Sequence, residues 1–552
     1  MGIAEEMASR QRAISVSEFF EKNRHLLGYD NKAKAMLMIV KEGVDNSLDA
    51  AEEACILPDI MVAVKEEAPE KFRITVGDNG PGIVEEQIPM IFGRLLYGSK
   101  FHRLKQQRGQ QGLGISCAVL YSQLTTGMPT LISSSTGDGK TNRFSLKVDV
   151  AKNRPLIIEK STEDGRVWHG VEATFVAECA YRENKQSVLE YLRQTAISNP
   201  FAEIVFDSPA GRFEFKRGVS RMPPQPKEIL PHLHGVELGV LSRMLAATDA
   251  KTMLSFLMDE FSRVGKQSAY EILTKAGITK AGPGGKPEPD ARFRPQRVTD
   301  EMAARIIEAV KSVKLIRPPL ECLSPLGTEL IESGLRKELA PEFVASVSRP
   351  PETYRGWPFQ VEAGLAFGGS VKEFGLIRFA NRVPLLYQQG ICAISKSVDE
   401  TDWRRYGVQM NKEVKDPLVV FVHLCSVWVP FTSESKEAIA NYDIIIREIK
   451  LALQECARKL SLWLSGQRKS AMLVKRKSLF ERYAGETAHA LSTITGSSKD
   501  DIKKKIIDLV THKWGEISAE EVSMDEMDKM DKIDKAERHG REDEAEDPES
   551  GE

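Results

Sequence analysis

The stretch FRITVGDNGPGI, residues 72–83, decides the fold. Phe72, Ile74 and Val76 alternate with polar or small residues, the period of a strand with one buried face. That strand runs directly into Asp78-Asn79-Gly80-Pro81-Gly82. Glycines there permit a tight turn and close approach of the backbone to a ligand. A buried Asp78 would accept a hydrogen bond from an exocyclic amine such as adenine offers. Alone, the segment fits a surface turn better than a ligand site, because Asn-Gly and Pro-Gly pairs are common turn sequences.

Outward from this strand lie three more segments. On the N-terminal side, KEGVDNSLDA (residues 41–50) spaces Glu42, Asn46 and Asp49 at i, i+4 and i+7, on one face of a helix. A carboxylate can take a proton from water, and an amide oxygen one turn on can ligate a hard cation such as Mg²⁺. A plain amphipathic helix has the same pattern. On the C-terminal side, RGQQGLGIS runs from Arg108 through Gly109, Gln110, Gln111, Gly112, Leu113, Gly114, Ile115 and Ser116. Three glycines before an apolar run suggest a loop feeding a helix N-terminus, whose free amides cradle phosphates; a flexible loop is the plainer reading. No GK[ST] follows, so it is not a Walker A loop. The preceding LLYGSKFHRLKQQ, with Ser99 and Lys100, reads as a mobile lid. Finally, in HGVEATFVAE (169–178), Thr174 lies on a strand-like run and is expected to close the base pocket through its hydroxyl, unless it is an ordinary β-branched strand residue.

Across the 552 residues, 41% are hydrophobic and 28% charged, ordinary for a globular chain of several domains. No run approaches a membrane span, and the N-terminus lacks the apolar core of a secretory signal. Seven scattered cysteines without a CxxC pair argue for a reducing, cytoplasmic setting and against a disulfide frame or zinc site. The net charge of −2 hides an asymmetry: residues 516–552 carry 16 acidic and 5 basic side chains, leaving a body of about +9 that suits a nucleic-acid partner, although basic surfaces are often just solvated.

Punctuation by proline, glycine and charge divides the chain into an N-terminal arm (1–20), a mixed domain holding every glycine motif (21–228), a helical block (229–312), a second mixed domain (313–466), short basic helices (467–515) and an acidic, disordered tail (516–552). Strand patterns such as FQVEAGLAFGG and DPLVVFVHLCSVWVPF precede an expected long helix at about 435–466.

In order and spacing, the four segments resemble the Bergerat-fold ATPases, the family that joins gyrase B, MutL, sensor histidine kinases and the ATP-binding half of topoisomerase VI. The resemblance implies ATP and Mg²⁺ as cofactors, Glu42 as general base, Asn46 on Mg²⁺, Asp78 on adenine, Gly82 beside the base, and residues 109–116 around the phosphates; Asp49, Ser99 and Lys100 join the nucleotide site. No helix pair with a phosphoacceptor histidine precedes the motifs, as a kinase would need. The helical block, the N-terminal SEFFEKNRHLLGYDNKAKAMLMIVKEGVDNSLDA and GQQGLGISCAVLYSQLTTG are similar to the ATP-binding subunits of type IIB DNA topoisomerases. VPFTSESKEAIA resembles the segment carrying that family's switch lysine, here Lys436, at the start of the long helix. DWRRYG resembles its WKxY motif, with Arg404 where lysine is usual; Trp403, Arg404, Arg405 and Tyr406 are then expected on DNA.

The fold class so implied is α/β (α+β) and multidomain: a Bergerat-fold ATPase sandwich, a helix–two-turn–helix insertion, and a second α/β transducer domain with a long C-terminal helix. The implied partners are double-stranded DNA, the DNA-cleaving topoisomerase VI A subunit, and a second copy of this chain joined on ATP binding in an A2B2 heterotetramer. A MutL-type repair clamp and a DNA-binding scaffold with a structural ATP site are the alternatives.

Overall fold

The computed structural model describes residues 6–7, 11, 13–99, 103–109, 112–165, 168–282, 287–410, 415–433, 436–509 and 512. They form two compact units, one from 1–402 and 411–456, the other from 403–410 and 457–552.

The first unit opens with α1 (Val16–Lys22) and α2 (Lys32–Glu53), then β1 (Asp59–Ala68), β2 (Lys71–Asp78), α3 (Ile88–Gly93), α4 (Gly114–Thr126), β3 (Thr130–Thr136), β4 (Lys140–Asp149), β5 (Arg154–Asp164), β6 (His169–Glu178), α5 (Val188–Ser198), β7 (Glu203–Ser208) and β8 (Gly211–Phe215). The strands form one sheet in the order β5-β4-β3-β6-β2-β1-β7-β8, antiparallel except where β1 meets β7. Asn31 caps α2 by accepting from the Lys34 amide at 2.8 Å, satisfying one of the helix's orphan donors. α2 buries Met36, Leu37, Ile39, Val40, Val44 and Leu48 against Phe72, Ile74 and Val76 of β2. Period 3.6 in the helix and period 2 in the strand thus meet in one core, as the alternation predicts.

Next come α6 (Leu238–Ala247), α7 (Met253–Asp259), α8 (Lys266–Lys275), the short antiparallel pair β9 (Thr279–Ala281) and β10 (Pro287–Pro289), and α9 (Asp300–Lys311). These helices share a core of their own around Leu241, Phe256, Phe261, Leu273 and Ile306. Thr279 pairs with Pro289 and Ala281 with Pro287 in the ladder of β9 and β10.

The second sheet follows α10 (Gly327–Leu339). It comprises β11 (Phe343–Ser348), β12 (Glu352–Tyr354), β13 (Trp357–Phe367), β14 (Gly375–Ala380), β15 (Val383–Pro384) and, after α11 (Ala393–Asp399), β16 (Leu418–Ser426), in the order β11-β13-β16-β14-β15 with β12 on β13. β16 is buried along its whole length, as its unbroken apolar run requires.

The long helix α12 spans Asp443–Thr495, 53 residues. It starts later than the expected residue 435 and absorbs much of the segment expected as short basic helices. Its interior glycines, Gly466 and Gly485, each cost only about 1 kcal/mol against alanine, too little to break a helix rich in Leu, Arg, Lys and Ala. Ile445, Ile449, Ala452, Leu453, Cys456 and Leu460 form its buried stripe. Among the described residues no helix is long and apolar enough to cross a membrane. The expected acidic tail, 516–552, lies outside the described residues.

Candidate nucleotide site

Glu42 and Asn46 sit half-buried, one turn apart on α2. A side-chain carbon built on Gly114 would overlap the Glu42 carboxylate, so the first and third motifs meet in space, and a larger residue there would have to displace that carboxylate. Gly114 opens α4, a helix of 13 residues, and the residue before it, Leu113, offers no side-chain cap. The first amides of that helix are therefore available to an anion. Gly112 is held in the left-handed region (φ +58°), and its carbonyl accepts the Leu96 amide at 3.0 Å. Leu113 is buried and Ile115 half-buried against the core, so both present backbone only. Ser116 is buried too, and its hydroxyl donates to the Leu113 carbonyl at 3.1 Å, which leaves only its amide for a phosphate. Gly109 is half-buried, whereas Ser99 is exposed. Lys100, Gln110 and Gln111 lie outside the described residues.

Asp78 ends β2 with one oxygen accepting the Ser47 hydroxyl at 2.7 Å and the other the amides of Gly80 at 2.9 Å and Val171 at 3.1 Å. Three donors, from α2, the turn after β2 and β6, therefore orient one carboxylate. Gly82, at φ +75°, approaches β3 so closely that a side chain there would overlap the Ser135 carbonyl. Ile83 donates its amide to Ser134 Oγ at 2.8 Å.

Two expectations are corrected here. Thr174 pairs in register with Thr75, and their hydroxyls meet at 2.9 Å. Thr75 is an odd number of residues from Asp78 along β2, so the two side chains leave the sheet on opposite faces, and Thr174 does not close the pocket beside Asp78. The residue of β6 that touches Asp78 is Val171, through its amide. Asp49, expected at the nucleotide, is instead paired with Arg108 at 2.9 Å. Arg108 is buried and also meets Glu52 and Asn199 Oδ1, each at 2.6 Å. Burial would lower its pKa, but Glu52 and Asp49 outweigh that and raise it, so this arginine stays charged.

Lys436 lies in the loop before α12 and not on the helix, with φ +53°. It is half-buried within electrostatic reach of Glu42, Lys41, Asp45 and Asp49. Burial of the ammonium end pushes its pKa down; Glu42 works against that and Lys41 adds to it. The neighbouring Glu437 is buried and pairs with Lys34 of α2 at 2.6 Å, which ties this loop to the first helix. A residue almost 400 positions along the chain from Glu42 thus shares its electrostatic environment.

In the second unit, Trp403–Tyr406 form a single 3-10 turn. Trp403 is 3% exposed and serves as packing, contrary to its expected place on DNA: a large indole gains more from burial than from solvent. Arg404 and Arg405 are exposed and Tyr406 half-buried. All seven cysteines are free thiols.

Ser47, Val171, Arg108 and Asn199 were not singled out in the sequence. Ser47 adjoins Asn46, Arg108 adjoins Gly109 and Val171 lies within the segment 169–178, so neighbourhood to a motif was the available signal; Asn199 gave none. The donor set fits a nucleotide with its metal. Glu42 and Asn46 offer hard oxygens suited to Mg²⁺, the glycine-lined start of α4 offers uncapped amides, and Asp78 offers a fixed acceptor.

Comparison with known proteins accords with this geometry. Residues 31–151 match the family described as histidine kinase-, DNA gyrase B-, and HSP90-like ATPase, which defines the class. Residues 318–476 match the topoisomerase VI B subunit transducer family. The type 2 DNA topoisomerase 6 B subunit of Archaeoglobus fulgidus is 47% identical over 471 residues, covering 84% of this chain and 76% of that one. Its namesake from Methanosarcina mazei is 42% identical over 526 residues (93% and 82%), and that from Pyrococcus furiosus 38% over 552 (93% and 97%). The chain belongs to the family of type 2 DNA topoisomerase 6 B subunits, with an ATPase domain and a transducer.

Proposed function

We propose that ATP binding to residues 30–180 joins two copies of this chain, and that the transducer carries the closure to a separate DNA-cleaving subunit, which passes one duplex through another. The observation that carries this is Lys436 of the transducer segment standing in the charge cluster of Glu42. Glu42 accepts a proton from the water that attacks the terminal phosphate, while the bond from that phosphorus to the ADP oxygen breaks. Asn46 holds Mg²⁺, which neutralises phosphate charge when bound. Asp78 receives the adenine amine and so selects the base. The amides of residues 109–116 hold the phosphates, and Lys436 follows the presence of the terminal one.

DNA is met through phosphates by the basic body, with Arg404 and Arg405 as exposed candidates. Such contacts weaken steeply with salt and depend little on sequence. The test is a supercoil-relaxation and decatenation assay with the copurified DNA-cleaving subunit, with and without ATP. ATP-dependent strand passage is expected; ATP hydrolysis without any change in DNA topology would overturn the reading in favour of a repair clamp or scaffold.

A further inference from the structure

We propose that Arg382 is a positioning residue for the ATP-driven reaction: through Glu52 it locks the anchor of the glycine loop to the transducer sheet, so that a shift of the loop is felt in β14 and β16. The proposal rests on the reading above that residues 109–116 hold the phosphates.

Glu52, in the last turn of α2, is shared. One oxygen accepts from Arg108 Nη2 at 2.6 Å and the other from Arg382 Nη2 at 2.7 Å. Arg108 immediately precedes Gly109, so it is the hinge post of the loop. Arg382 belongs to the turn between β14 and β15, where Asn381 (φ +48°) and Arg382 (φ +68°) both adopt the left-handed region. Two successive non-glycine residues there are strained and persist only where their surroundings hold them. Here the surroundings do so with directional bonds. The Arg382 amide donates to His423 Nε2 at 2.9 Å, and its carbonyl accepts from Ser198 Oγ at 2.9 Å. Asn381 Nδ2 donates to the Gln107 carbonyl at 3.0 Å and to the Ser426 carbonyl at 2.9 Å. His423 Nδ1 in turn donates to Glu362 at 2.9 Å, and Glu362 accepts the amides of Leu326 and Gly327 where α10 begins.

An unbroken chain of ionic and hydrogen-bonded contacts therefore runs from the loop post to the transducer sheet. Plain apolar packing would hold two domains together as well. A buried ionic cluster is weak evidence for stability, and fixing register is its best-attested use. Arg108 is fixed in angle as well as distance, with Nη1 on Asp49 and Nη2 on Glu52 and Asn199, whereas Arg382 meets Glu52 through Nη2 alone. The joint also has room to change. Arg382 Nε and Nη1 have no acceptor among the described residues, and Arg382, Glu52 and Arg108 line a cavity of about 190 Å³ with Lys105 and Ser324. Arg382 can thus re-pair without surrendering a second bond.

The test uses the full chain in complex with its DNA-cleaving partner on supercoiled plasmid, and reads ATP hydrolysed per strand-passage event, analogue affinity and melting temperature. Arg382→Met should leave analogue affinity near wild type and raise the ATP spent per passage about tenfold, within the usual range of inter-site coupling. Wild-type coupling in a folded Arg382→Met protein would overturn the proposal. So would a proportionate fall of hydrolysis and passage together with melting temperature, the mark of a merely structural role. Should Arg382→Met not fold, Glu52→Gln keeps the shape but leaves one acceptor oxygen for two guanidinium groups; it should still uncouple, and wild-type coupling there refutes the proposal. A wild-type complex without ATP-dependent passage would instead refute the functional reading beneath it.

Discussion

The carboxylate of Glu42 occupies the space a side chain at Gly114 would need. One residue is in α2 and the other opens α4, so a proposed base and a proposed phosphate cradle are positioned by each other. Each constrains where the other can be.

Gly114→Ala should displace either the start of α4 or the carboxylate. Misplacement of a catalytic group by about 1 Å costs on the order of 10²-fold in rate, and a loss of that size in kcat is expected. Because both residues act on one step, Gly114→Ala should add little to Glu42→Ala. Full additivity in that double-mutant cycle would show that the contact is incidental.

Glu42→Ala should bind ATP yet hydrolyse it about 10²–10⁴-fold more slowly, the usual contribution of a positioned base. The variant should then accumulate as a nucleotide-bound dimer, visible by light scattering. Near-normal hydrolysis would remove Glu42 from the chemistry.

Asp78→Asn should weaken ATP binding about 10- to 100-fold, the equivalent of losing one hydrogen bond to a charged group. The amide would also turn a donor towards one of the hydroxyl or amide partners that now feed the carboxylate. Calorimetry returning the wild-type affinity would place the adenine elsewhere.

These sites differ in how far the sequence exposed them. Glu42 and Asn46 were legible because helical period alone puts them on one face, and Asp78 because a strand with one buried face ends at it. Thr174 was misread because a motif match ignores strand parity, which sends its hydroxyl to Thr75. Trp403 was misread because an aromatic beside two arginines suggests a surface patch, and only packing shows the indole buried. The linkage of Arg108, Glu52 and Arg382 was illegible, since it joins residues some 330 positions apart with no local pattern. Gly466 marked a helix end by propensity, but its cost of about 1 kcal/mol is too small to stop a helix rich in Leu, Arg, Lys and Ala.

His423 makes stability depend on pH. Its Nε2 accepts the Arg382 amide and its Nδ1 donates to Glu362, so it is neutral in the native fold. Burial pushes its pKa below the ordinary 6.5; Glu362 opposes, and Arg382 and Arg108 add to the lowering. The unfolded chain therefore binds this proton more readily. The contribution is complete above about pH 6.5 and is lost as pH falls, at a slope of at most about 1.4 kcal/mol per pH unit. Glu362, held below the ordinary 4.5 against its own burial by His423 and two backbone amides, adds a further loss at lower pH, with the same sign. His232 is lowered as well, so the wild type alone does not isolate the effect. The melting temperature of His423→Gln, relative to wild type, should converge on it as pH falls from 7 to 5. A constant difference across that range would show that His423 does not titrate with unfolding.

Lys436 offers the sharpest test of how the two domains communicate. Its loop is fastened to α2 by the buried pair of Glu437 and Lys34, so its ammonium is delivered to the acids of α2 by the fold and not by chance. A lysine there is a mobile point charge on a flexible stem. On the proposed reading it gains the terminal phosphate when ATP is present and retains only the acids of α2 after hydrolysis and phosphate release. The two states then differ in the contacts of one cation, and a ligand can shift an equilibrium only by such a difference. Lys436→Ala should consequently slow hydrolysis and strand passage while leaving ADP affinity near wild type, because ADP lacks the group the lysine senses. Equal losses of ATP-analogue and ADP affinity would make Lys436 a general binding residue; unchanged hydrolysis and passage would leave it a half-buried counter-charge to Glu42 and Asp45, with no part in moving the gate.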